Sequence, residues 1–253
     1  MAIRIKNQSQ IDRIKKAGDI VAKCFEIVKA NLHDDMTTLE LDKLIGDTIR
    51  KNGGTSATKG YGGFPGEACI SVNEELIHGI PNRDKVIHNG DIVSCDIMAW
   101  YDGCVADACR TFACGDVDPE TKRLMDVTKQ SFFEAMKVAR AGHHLNEIGQ
   151  AIEKYCEDNG CSVVRDFVGH GVGLKVHEEP EVPNYDTGKR GPVLQKGMVI
   201  AVEPMVSLGD YEVDVLDDDW TVVMSDGSMC AHYENTIVIT DSDPIIVTLK
   251  EDE

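Results

Sequence analysis

Apolar residues recur at helical spacing in the first part of the chain. Ile11, Ile14, Gly18, Val21, Phe25 and Val28 share one face of a 3.6-residue period and predict a helix over 9–31. Ser9 and Asp12 stand at capping-box spacing at its start. A second helix is predicted over 38–52, with Thr37 and Glu40 as its cap and Gly53-Gly54 as its stop. A third runs over 119–141, from Asp118 as N-cap and Pro119 in the first turn to Gly142. A fourth covers 145–159 and ends at Gly160.

Elsewhere the pattern is that of strands. "DIVSCDIMAWYDGCVADACRTFAC" reads as a hairpin, two extended runs joined across the turn dipeptide Asp102-Gly103. "GMVIAVEPMV", "TVVMS" and "ENTIVIT" are further strands. No linker-like Gly/Ser or Pro-rich stretch divides the chain, so 1–253 reads as one domain. The terminal "KEDE" reads as a solvated tail.

One segment repeats. "NGDIVSCD" (89–96) aligns with "KGMVIAVE" (196–203): a glycine, a strand, then an acid six residues after the glycine. An HG pair precedes each copy, at His78 and His170, and two helices precede each. The chain therefore reads as α+β, with halves at about 5–115 and 116–249. A duplicated half would bring the two acids face to face around one pocket. Two amphipathic strands that look alike by chance are the other reading.

Within the hairpin, Asp96 and Asp107 fall on opposite sides of the turn. Pairing of positions that sum to about 203 makes them cross-strand partners, with Cβ atoms ~4.5–5.5 Å apart. Like charges so placed either face solvent or hold a cation. Glu203 ends a run too apolar for a surface strand, and Glu234 heads "ENTIVIT". Four carboxylates around one point cannot all ionise in a dry site without cations. With His170 they make a hard-oxygen set carrying one imidazole, which suits two closely spaced divalent ions. In "FVGHGVGLKVHEEP" the glycines around His170 are expected to let the backbone turn tightly and bring its ring to the cluster.

Composition narrows the function. The net charge is −18, with 42% hydrophobic and 28% charged residues. A nucleic-acid partner is disfavoured because phosphate contact needs clustered Lys and Arg. No apolar run approaches the ~18 residues of a membrane span. The N-terminus alternates charge with Ile, unlike a signal peptide. The nine cysteines follow no common zinc pattern and read as reduced, mostly buried thiols of a cytoplasmic protein.

Taken together, "HGIP", "DIMAWYDGCVADACRTF", "GHGVG", "HEEP", "AVEP" and "YENTIVIT" resemble the motif set of the methionine aminopeptidases, in order over about 5–249. The resemblance is to the short bacterial type I form. It implies the pita-bread (creatinase/aminopeptidase) fold, two pseudo-symmetric αβ halves with antiparallel strands around a central metal site. It implies removal of initiator methionine from nascent chains whose second residue is small. The alternatives are an Xaa-Pro aminopeptidase or prolidase on the same fold, or a non-catalytic binding protein. The implied cofactors are two divalent ions (Co, Mn, Fe, Zn or Ni), with a monovalent cation near Glu75 and Cys230. Asp107 and Glu234 would bridge both ions, Asp96 would bind one, and His170 with Glu203 the other. Glu203 would also shuttle protons, His177 would bond the scissile carbonyl, and His78 would assist the leaving amine. Tyr61, Phe64, Cys69 and Trp220 would line a methionine pocket, with Val176 and the two histidines. The implied partners are nascent N-termini and the ribosome, and the chain is expected to be monomeric.

The chain departs from that pattern in several places. Val176 stands where Phe is common, Met98 for Thr, Thr58 for Cys and His232 for Gln. A roomier methionine pocket is expected at Val176 unless a neighbour such as Met98 or Leu174 fills the gap. The run Asp217-Asp218-Asp219 lacks calcium-loop spacing and reads as a solvated turn.

Overall fold

The computed structural model describes residues 2–250, so the last three residues of the "KEDE" tail lie outside the described residues. Helix α1 spans Gln8–Asn31. It starts from Asn7, not Ser9. The Asn7 side chain accepts from the Gln10 N–H at 3.0 Å, and the Gln10 side chain accepts from the Asn7 N–H at 2.9 Å. An amide pair three residues apart forms the capping box just upstream of the expected one. Helix α2, Thr38–Lys51, carries the Thr37–Glu40 box. Helix α3, Pro119–Met136, is capped by Asp118. It ends short of the predicted 141 because the Ala141 and Gly142 N–H groups bond instead to the carbonyls of Thr240 and Leu194. Helix α4 is Asn146–Asp158.

The hairpin strands are Ile92–Tyr101 and Cys104–Ala113. A two-residue turn pairs Tyr101 with Cys104, so opposite positions sum to 205 rather than 203. Asp107 lies opposite Met98, and Asp96 opposite Cys109. The two aspartates are therefore diagonal neighbours on one face, not direct partners. The first hairpin strand also pairs with Cys69–Val72 and with Thr55–Ser56. Helices α1 and α2 cover one face of this sheet, where Phe25, Leu41, Ile45 and Ile49 pack with Ile70, Val93, Cys95 and Ile97. Strand side chains alternate, so Asp96 and Met98 point to the opposite face.

A five-stranded sheet forms the counterpart. Its order is Ile245–Ile246, Asn235–Val238, Val199–Val202, Gly169–Gly171, Glu178–Val182. Helices α3 and α4 cover it, packing Leu124, Phe132, Ile148 and Ile152 with Val182, Ile200, Val202 and Ile237. Ile200 and Val202 point to the helices, which leaves Glu203 on the other face.

A third apolar cluster closes the seam between the two sheets, with Ile14, Val105, Ala106, Val172, Val176, Val199 and Val238. Polar links cross the same seam. The Thr236 hydroxyl accepts from the Asp107 N–H at 2.9 Å and donates to the Asp107 carbonyl at 2.8 Å. The Glu234 N–H donates to the Cys109 carbonyl at 3.0 Å. All nine cysteines are buried and unpaired. Among the described residues no helix is long and apolar enough to cross a membrane.

Candidate active site

Asp96 and Asp107 project from the middle of the two hairpin strands. Glu203 follows the strand Val199–Val202, and Glu234 precedes Asn235–Val238. Arg110 fixes the second approach: it donates to the Glu234 carbonyl at 2.6 Å and to the Asn235 side chain at 2.8 Å. His170 sits on the short strand Gly169–Gly171, which pairs with Val199–Val202 on the side away from Asn235–Val238. Its Nε2 lies 3.6 Å from Asp107 Oδ2 and 3.8 Å from Glu203 Oε1.

The glycines flanking His170 serve close packing rather than the expected tight turn. A Cβ on Gly169 would strike the Ala201 carbonyl, and one on Gly171 the Glu179 carbonyl. Only glycine lets both neighbouring strands approach the histidine that closely.

Burial is the first cause that raises all four carboxyl pKa values. Asp96 moves up to about 6. Asp107 rises well above its usual value, with Glu234 and Asp96 adding to the effect. Glu203 and Glu234 rise likewise through burial and neighbouring carboxylates. Burial, then His177, lowers His170 to about 3, so its ring stays neutral and able to ligate. Asp96 Oδ1, Asp107 Oδ1 and Glu234 Oε1 are buried without hydrogen-bond partners. Donor atoms of Asp107, His170 and Glu234 all lie within 4.8 Å of one another. An oxygen-rich cluster with unsatisfied buried acceptors and one neutral imidazole fits divalent cations.

The monovalent-cation expectation fits less well. The Glu75 carboxylate already takes the Lys85 ammonium and, at 3.0 Å, the Val72 N–H. The Asn73 carbonyl accepts from both the N–H and the thiol of Cys230. At these two residues the chain supplies its own cation and donors.

The carboxylates floor a cavity of about 220 Å³. Tyr61, Phe64, Cys69, His78, His177 and Trp220 line it, as do Ile77, Met98 and Phe167. Phe64 and Trp220 meet edge to face at 5.2 Å. His78 has φ 59°, and its ring stands edge-on to Phe167 at 5.9 Å and to Trp220 at 6.2 Å. Burial, then His177, lowers its pKa. Burial also lowers that of His177, whose Nδ1 is 2.7 Å from the Tyr61 hydroxyl. The His170 and His177 rings lie 4.1 Å apart.

Val176 is the exception. It is 3% exposed, belongs to the seam cluster and is absent from the cavity wall. The next residue, His177, faces the cleft, so Val176 turns into the core while Met98 occupies the wall. Phe167 was not singled out from sequence, although it stands three residues before His170 within the motif-rich stretch. Arg110 was also missed, because a single arginine inside a strand run carries no pattern. The 217–219 run is a turn, with Asp218 accepting from the Trp220 and Thr221 N–H groups.

Residues 12–241 match metallopeptidase family M24. The chain is 48% identical over 249 residues to a methionine aminopeptidase of Clostridium acetobutylicum, covering 98% of this chain and 100% of the relative. It is 42% identical to methionine aminopeptidase 1 of Bacillus subtilis, covering 96% and 98%. The crystal structure of a methionine aminopeptidase from Thermotoga maritima superposes with a TM-score of 0.96 at 43% identity, covering 98% of this chain and 100% of that one. A Pyrococcus furiosus prolidase shares the fold alone, with a TM-score of 0.76 at 24% identity and coverage of 98% and 66%.

Proposed function

The chain belongs to the methionine aminopeptidases of metallopeptidase family M24, and on that premise we propose how its cleft works. It is a pita-bread metallohydrolase that removes the N-terminal methionine of polypeptides. The carrying observation is the convergence of four carboxylates and His170 on one wall of a cleft whose other walls are aromatic, apolar and sulfur-bearing. We assign Asp96, Asp107, His170, Glu203 and Glu234 as ligands of two divalent ions. When bound, such ions act as Lewis acids and bring the pKa of water near neutrality.

The protein's own groups do the rest. Phe64, Cys69, Phe167, Met98 and Trp220 form a soft, apolar surface complementary to an unbranched thioether. Tyr61 donates to His177 Nδ1, which leaves the proton on Nε2, free to bond the scissile carbonyl as negative charge develops there. His78, kept neutral and held between aromatic edges, serves the amine side of the peptide. Glu203, which ends its strand at the edge of the carboxylate cluster, passes a proton to the leaving nitrogen. Our reading extends to one catalytic domain with halves at 5–115 and 116–249, and to a cytoplasmic monomer that meets nascent N-termini near the ribosome. The buried free thiols support a reducing compartment.

The test compares chelator-treated protein before and after Mn²⁺ is restored. Metal-dependent release of Met from Met-Gly-Xaa, with an Xaa-Pro peptide left intact, is the expected result. Cleavage of the Xaa-Pro peptide instead would overturn the substrate assignment.

A further inference from the structure

His232 plays no part in the mechanism above, yet it stands against the metal ligands. Its side chain is 2% exposed. Its Nε2 lies 3.9 Å from Glu203 Oε2 and 3.9 Å from Glu234 Oε2. Both ring nitrogens are buried without a hydrogen-bond partner. A buried ring left unsatisfied in this way is costly, so its retention needs a reason.

The backbone around it is held firmly. The Thr111 hydroxyl accepts from the His232 N–H at 2.9 Å and donates to its carbonyl at 3.0 Å. His232 also pairs across strands with Met205, two residues beyond Glu203. The ring is thus presented from a fixed position to the two glutamates of the second half.

The carboxylate geometry indicates what the ring does. Glu203 turns Oε1 towards His170 and Oε2 towards His232. A carboxylate that gives one oxygen to a cation keeps an anionic acceptor on the other. A donor beside that second oxygen fixes the orientation of the first.

We infer that His232 is a positioning residue: its Nε2–H is shared between Glu203 Oε2 and Glu234 Oε2 and orients both glutamates for the metal ions. The separation of 3.9 Å closes to hydrogen-bond length, ~3.0 Å, by a shift of about 1 Å in either carboxylate. The inference rests on the assignment of these glutamates as ligands. Glutamine offers an amide N–H from the same backbone position, so His232→Gln preserves the function and His232→Leu removes it.

Isothermal titration of chelator-treated protein with Mn²⁺ tests this, alongside thermal unfolding of each metal-free variant and a kcat-against-KM split. Native protein and His232→Gln should bind Mn²⁺ within about threefold of each other, whereas His232→Leu should bind about 10–100-fold more weakly, the range seen when a group supporting a ligand is lost. The metal-free melting points should agree, and kcat should fall more than KM rises. Unchanged Mn²⁺ affinity in His232→Leu would overturn the inference. So would equal losses in the Gln and Leu variants, which would make the imidazole itself a ligand. A native protein that binds no Mn²⁺ would instead overturn the ligand assignment on which the inference rests.

Discussion

The two halves deliver their acids differently. The first places short aspartates in the middle of ten-residue strands, within an unbroken ladder from Ile92 to Ala113. The second places longer glutamates at the ends of four-residue strands, where the backbone leaves the sheet. A central strand is rigid and brings its side chain close, so a short acid suffices. A strand end needs reach, and external groups must then fix it: at Glu234 the carbonyl accepts from Arg110 and the N–H donates to the Cys109 carbonyl. Glu203 and His177, proposed above for proton transfer and for the scissile carbonyl, lie in the second half, where a side chain can move without breaking a ladder.

The sharpest test of that division removes His177. His177→Ala should lower kcat/KM by about 10²–10³, the loss expected for one transition-state donor, with the bound metal unchanged. Loss of metal instead would make His177 a ligand and blur the division. Kinetics paired with metal analysis decides between the two.

The support of the 174–178 turn gives an effect of similar size, on stability rather than on rate. The Glu178 carboxylate accepts from the Leu174 and Lys175 N–H groups, and Lys6 meets it at 3.1 Å with side chains 1% and 4% exposed. Burial lowers the pKa of Lys6, opposed by Glu178, whereas the balance of its partners keeps Glu178 below its usual value. Lys6→Met leaves Glu178 buried without its cation and should destabilise the protein by about 3–5 kcal/mol. Urea unfolding of the metal-free protein measures this. A change under 1 kcal/mol would mean that the two N–H groups alone satisfy the acid.

Val176→Phe should have the smallest effect on selectivity. Because Val176 lies in the seam core, the larger ring should overpack it by about 1–3 kcal/mol and leave the Met-to-Leu ratio of kcat/KM unchanged. A ratio that rises sharply towards Met would return position 176 to the substrate pocket.

These cases show what was readable in the sequence. The helical faces, the Thr37 and Asp118 caps and the Asp102-Gly103 turn follow from local rules, and the structure carries them. Motif order singles out Asp96, Asp107, His170, Glu203 and Glu234, which lie far apart in sequence and meet only in the fold. Register was less readable. A shift from 203 to 205 turned an opposed aspartate pair into a diagonal one, and only the turn's geometry fixes that count. The wall assigned to Val176 was misplaced because sequence position does not reveal which side of a turn faces the cleft. Arg110 and Phe167 act through contacts distant in sequence, which no local pattern records.

Equilibrium titration of metal-free protein with Mn²⁺ at pH 6 and pH 8 decides whether both halves share one pair of divalent ions. The cluster's raised carboxyl pKa values, about 6 for Asp96, mean that protons occupy the site at low pH and must leave as metal binds. His170, held at about 3, is already neutral and releases none. Two ions per chain, bound more tightly at pH 8 than at pH 6 with proton release, is the predicted result. A single ion per chain at full activity, or an affinity unchanged between the two pH values, would contradict the account.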